Sequence, residues 1–122
     1  MKITRLMVAL VMLASFALKP AQSFADNKVM WCLMAEARTL NNTPRAFFSR
    51  IFHPGDTGTA EAEHLFTAYV NATYDHVIGG PCTCQIYQDG YQAQAQVERA
   101  RAYEKLGDVG FVTRETNWPN SR

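Results

Sequence analysis

Apolar positions along the 122-residue chain change their spacing several times, and each change marks an element. Residues 29–35 read Val-Met-Trp-Cys-Leu-Met-Ala, a continuous apolar run whose length and Val and Trp content predict a buried strand. Alternation puts Met30, Cys32 and Met34 on one face and Trp31, Leu33 and Ala35 on the other. Both faces are apolar, so both need at least partial cover. Asn41-Asn42-Thr43-Pro44 has the composition of a turn. Residues 45–52 predict a second strand, with Phe48, Arg50 and Phe52 on one face and Phe47, Ser49 and Ile51 on the other.

The spacing then becomes helical. Ala62, Leu65, Phe66, Tyr69, Val70 and Thr73 share one face of a helix predicted over residues 60–74. Thr57 or Thr59 can cap it, and Glu61 and Glu63 suit the positive end of its dipole. Gly79-Gly80-Pro81 ends the unit. Residues 82–87 (Cys-Thr-Cys-Gln-Ile-Tyr) alternate as a strand with Cys82, Cys84 and Ile86 on one face. A second helix follows, opened by Asp89 and Gln92 at capping-box spacing, with Ala93, Val97, Ala100 and Tyr103 as its apolar stripe and Gly107 just beyond its end. Residues 110–118 predict the last strand, which Pro119 terminates. The order β-β-α-β-α-β predicts an α+β fold: a two-layer sandwich, a four-stranded sheet with two helices on one face. No repeat or linker divides residues 26–122, which read as a single small domain.

The first 25 residues carry a different pattern. Lys2 and Arg5 precede an apolar run over residues 6–18, Lys19-Pro20 breaks it, and Ser23-Phe24-Ala25 supplies small residues for a peptidase. This is the tripartite form of a cleaved signal peptide, with the cut after Ala25. The run is shorter than the ~20 residues of a membrane-spanning helix. A bacterial-type leader of this kind predicts a periplasmic or secreted protein with no membrane span after cleavage. Loss of Lys2, Arg5 and Lys19 takes the twelve basic residues to nine against eleven acidic ones, a net charge of −2. That balance excludes the basic footprint of a nucleic-acid binder. It also lacks a polybasic patch for anionic lipid.

Three cysteines in an oxidising compartment predict one disulfide and one spare thiol. Cys82 and Cys84 lie on one strand face with Cα atoms ~6.5–7 Å apart, at the edge of bonding range, so Cys32 is expected to pair with Cys82 or Cys84. The same residues carry an alternative. Met30, Cys32, Met34, Cys82 and Cys84 form a soft ligand set of the kind that selects Cu(I), if the two strands are neighbours. Met and Cys are also ordinary core residues.

Other chemistry is sparse. His53, His64 and His76 lie eleven and twelve residues apart, which matches no compact metal motif. Ser49 lacks the glycines of a nucleophile elbow. The loop over residues 53–58 offers Asp56 alone, too few carboxylates for a calcium loop. Arg114, Thr116 and Trp118 share a face of the last strand and are residue types found at binding hot spots, so they mark a contact patch on the sheet face away from the helices. The sequence therefore predicts a non-enzymatic binding or accessory domain of inhibitor, immunity or envelope-associated type. Its expected partner is another protein or an envelope component, and no cofactor is called for.

Overall fold

The computed structural model describes residues 27–120, so the expected signal peptide and the expected cut after Ala25 lie outside the described residues. Six elements follow in chain order: β1 (Val29–Ala35), β2 (Arg45–Phe48), α1 (Thr59–Thr73), β3 (Cys82–Tyr87), α2 (Gln92–Asp108) and β4 (Val112–Glu115). The strands form one open mixed sheet ordered β3-β1-β2-β4. β1 runs antiparallel to both β2 and β3, and β2 pairs with β4 in parallel. The α+β content and the element order are those the residue pattern predicts. Among the described residues, no helix is long and apolar enough to cross a membrane.

The helices are placed differently. They lie on opposite faces, not on one. Met30, Cys32, Met34, Phe47 and Cys84 pack against Ala62, Phe66 and Val70 of α1. Val29, Trp31, Ala46, Phe48 and Tyr87 pack against Ala95 of α2, with Ala102, Tyr103 and Leu106 beside them. The reason is topological. The β2-α1-β3 crossover passes over β1 toward one edge, and the β3-α2-β4 crossover returns across the whole sheet. Crossovers of one hand running in opposite directions put their helices on opposite faces. The doubly apolar β1 requires this cover on both sides.

Strand β2 also breaks its expected alternation. Leu33 pairs with Phe48, but Met30 bridges to Phe52, so the second strand carries an extra residue over residues 49–51. This is a bulge. Phe52 consequently joins Phe47 on the α1 side, and Ile51 joins Phe48 on the α2 side. Ser49 makes the bulge possible. Its Oγ, fully buried, accepts the Cys32 N–H at 2.7 Å and donates to the Arg50 carbonyl at 2.7 Å.

The inward stripe of α2 is rotated from the expected one. Ala95, Ala102, Tyr103 and Leu106 face the sheet, while Val97 is 52% exposed. Arg99 shares that inner side: its Nε donates to the Ser49 carbonyl at 2.9 Å, its guanidinium pairs with Glu115, and it lies over the Phe48 ring. Gly107 stays within the helix. Gly110, at φ +101°, closes it, with the Phe111 N–H returning to the Leu106 carbonyl at 3.0 Å. Gly58, not Thr57 or Thr59, occupies the capping position of α1.

Candidate functional site

The sulfur residues come together as a ladder. Register places Cys32 opposite Cys84 and Met34 opposite Cys82, with Met30 opposite Ile86. All five sulfur side chains therefore sit on the α1 face of two neighbouring strands. Cys32 and Cys84 form the disulfide, with Cα atoms 4.0 Å apart and a sequence separation of 52. Of the two partners open to Cys32, direct opposition in the ladder selects Cys84. Cys82 remains a free, half-buried thiol whose Sγ lies 3.5 Å from the Glu63 carbonyl. Burial pushes its pKa up, so little thiolate forms at neutral pH. As it stands, no group of three or more His, Cys, Asp or Glu among the described residues is arranged for a metal ion.

Arg114, Thr116 and Trp118 do not form a patch on an open sheet face, because a helix covers each face. Thr116 is buried, and its hydroxyl donates to the Phe48 carbonyl at 2.9 Å. Arg114 pairs in register with Phe47, four residues of extended chain away from Trp118. Trp118 alone reaches a recessed surface. It is half-buried, edge-on to Phe52 with ring centres 5.2 Å apart and 5.1 Å from the Phe66 ring.

There Trp118 lines an open groove of about 490 Å³ with Ile51, Phe52, Leu65 and Pro119, and His53, Pro54 and Thr57 form its loop side. The bulge builds this groove. Arg50 emerges from it and holds the C-terminal segment twice: its N–H donates to the Trp118 carbonyl at 2.9 Å and its Nη1 to the Pro119 carbonyl at 3.2 Å. His53 is tied back by Nδ1–H to the Lys28 carbonyl at 3.0 Å. Leu65, expected in the core, is 44% exposed at the groove edge. The bulge turns Phe52 toward α1, and Trp118 packs on Phe52 and Phe66 there. Only Trp118 of this set stands out in the sequence. Leu65 and Phe52 are masked there by regular helix and strand periodicity.

The remaining chemistry-bearing groups are separate. His53, His64 and His76 are exposed on different elements. The buried Ser49 hydroxyl is fully occupied by main chain. Glu36 is 3% exposed and accepts hydrogen bonds from Arg45 N–H, Nε and Nη2 and from Ile78 N–H, all at 2.7–2.9 Å. The Arg45 side chain holds the Glu36 carboxyl at a pKa of about 2. That pair, invisible in the sequence, ties β1 and β2 to the segment before β3. On the α2 face, Trp31 Nε1 donates to Tyr87 Oη at 3.1 Å, and Tyr87 donates to Glu98 at 2.6 Å. Burial raises the Tyr87 pKa, and the Tyr87 hydrogen bond lowers that of Glu98. Comparison with protein-family models, curated proteins and solved structures gave no match.

Proposed function

We propose that the protein is a small exported, non-enzymatic binding domain of inhibitor, immunity or envelope-accessory type, and that its partner is another protein that seats an apolar side chain in the Trp118 groove. One observation carries this reading: Trp118 is held on Phe52 and Phe66 yet still lines an open groove beside the exposed Leu65. An aromatic anchor that is already ordered loses little entropy on binding, and tryptophan is enriched among residues that dominate interface energetics. Export rests on the leader pattern, and a buried disulfide suits an oxidising compartment.

The test uses the chain lacking residues 1–25, immobilised and exposed to an envelope extract, in parallel with Leu65→Glu. Leu65 is a surface residue, so the variant is expected to keep its fold, which circular dichroism checks. The expected result is a protein retained by the unsubstituted domain and lost from the variant. Identical retention by both, or none by either, removes the groove as the binding surface.

A further inference from the structure

The geometry points to a redox-gated soft-metal site: with its disulfide reduced, the protein holds one Cu(I) ion between Cys32, Cys84, Cys82 and Met34. These residues are two consecutive rungs of the β1–β3 ladder, Cys32 opposite Cys84 and Met34 opposite Cys82. Same-face neighbours along a strand are about 6.5–7 Å apart, and the Cys32 and Cys84 Cα atoms face each other at 4.0 Å. Four sulfur-bearing side chains thus rise from the corners of one small rectangle, toward α1. Metal–thiolate bonds of ~2.3 Å fall within reach of its centre. Met30 is one rung further, opposite Ile86, and lies outside the set.

The ligand chemistry selects the ion. Thiolates with a thioether favour Cu(I) over harder divalent ions. Cys32 and Met34 are buried, as is most of Cys84, so the ion would be shielded from water. Cys82 is the half-exposed member, on the edge strand, and supplies the route in. In the oxidised protein two of the three thiols are consumed, and the site is closed. A dithiol reductant opens it: the S–S bond takes up two electrons and two protons, giving two thiols, while the dithiol becomes a disulfide. Copper enters as Cu(I) and undergoes no redox change; each cysteine that ligates it releases its proton to solvent.

The experiment is an anaerobic Cu(I) titration against a chromophoric Cu(I) chelator, on the oxidised protein and on protein reduced and then freed of reductant. Near-ultraviolet circular dichroism follows tertiary structure throughout. The expected result is one tightly held Cu(I) per reduced chain, none on the oxidised chain, and at least tenfold weaker binding by reduced Met34→Leu and reduced Cys82→Ser. Zn(II) is expected to bind at least a hundredfold more weakly than Cu(I). Four results overturn the inference: no copper on the reduced chain, equal binding by oxidised protein, affinity unchanged in Met34→Leu, or binding only by chains that have lost the near-ultraviolet signal. Cys82→Ser keeps the disulfide when oxidised, so its folding is checked independently of its copper binding.

Discussion

Glu36 gathers three donors from Arg45 and one from Ile78 while almost fully buried, and its carboxyl falls from an ordinary 4.5 to about 2. A carboxyl depressed by folding stabilises the native state above its unfolded pKa. That contribution is lost as pH falls from about 4.5 toward 2, and amounts to about 3 kcal/mol. Urea denaturation as a function of pH should show this acid limb, and Glu36→Gln should flatten it while lowering stability at pH 7. Gly80 makes a second single-residue prediction. A Cβ there would meet the Ala35 carbonyl oxygen at 1.8 Å, whereas one on Gly79 would meet nothing within 4 Å. Gly80→Ala should cost about 3 kcal/mol or more, and Gly79→Ala about 0.5 kcal/mol, as read from denaturation midpoints. The Gly79-Gly80-Pro81 break is plain in the sequence. That only the second glycine is sterically required is not, because the demand comes from a backbone 45 residues away. The Glu36–Arg45 pair is hidden for a similar reason: nothing in two charged residues flanking a turn says that one of them will be buried.

The elements themselves are largely legible. Strands β1 and β3 match their predicted bounds, and α1 begins and ends within one residue of them. What the periodicity misses are the faces. Strand β2 reads as regular through Phe52, yet the bulge at Ser49 exchanges the sides of Ile51 and Phe52. A serine replacing one rung of main-chain pairing leaves no mark in a hydrophobic pattern. In α2 the inner face carries Arg99 and Glu98, whose charged ends are hydrogen-bonded to Ser49 and Tyr87. Polar residues on the buried side displaced the expected stripe toward Val97. The two assignments differ in a measurable way. Ala95→Leu inserts volume into a fully buried helix–sheet contact and should destabilise by about 1–3 kcal/mol. Val97→Ala, at an exposed position, should change stability by no more than about 0.5 kcal/mol. Equal effects of the two substitutions on thermal unfolding would contradict the observed rotation.

At the scale of the whole molecule, the expected two layers become three because the chain crosses the sheet in both directions. The doubly apolar β1 already contained this demand, and only the strand order, which local pattern does not encode, converts it into a helix on each side. Each helix also tends a free sheet edge. From α1, the Glu63 carboxylate accepts the Cys84 N–H at 3.0 Å. From α2, the Tyr103 hydroxyl donates to the Thr113 carbonyl at 3.3 Å. Capping such outward groups limits edge-to-edge pairing between chains. The disulfide closes a loop of 52 residues that contains all of α1 and β2. In the chain-entropy account, a loop of that size stabilises by about 4 kcal/mol. Reduction should therefore lower the urea midpoint strongly, yet leave a folded chain in water if total stability is typical for the size.

Parallel pairing of β2 with β4 has a consequence in time as well as in space. The hydroxyl of Thr116 reaches the carbonyl of Phe48 across 68 residues of sequence. A chain that emerges amino end first, from a ribosome or through a membrane pore, can form the β1–β2 hairpin early. The outer edge of β2 then has no partner until residues 112–118 arrive, and such long-range pairing is intrinsically slow. Stalled chains ending before residue 112 should stay protease-sensitive, and chains released beyond residue 118 should become resistant. The order of the strands thus works as a clock, holding the sheet open during synthesis and letting it close when the last strand is delivered.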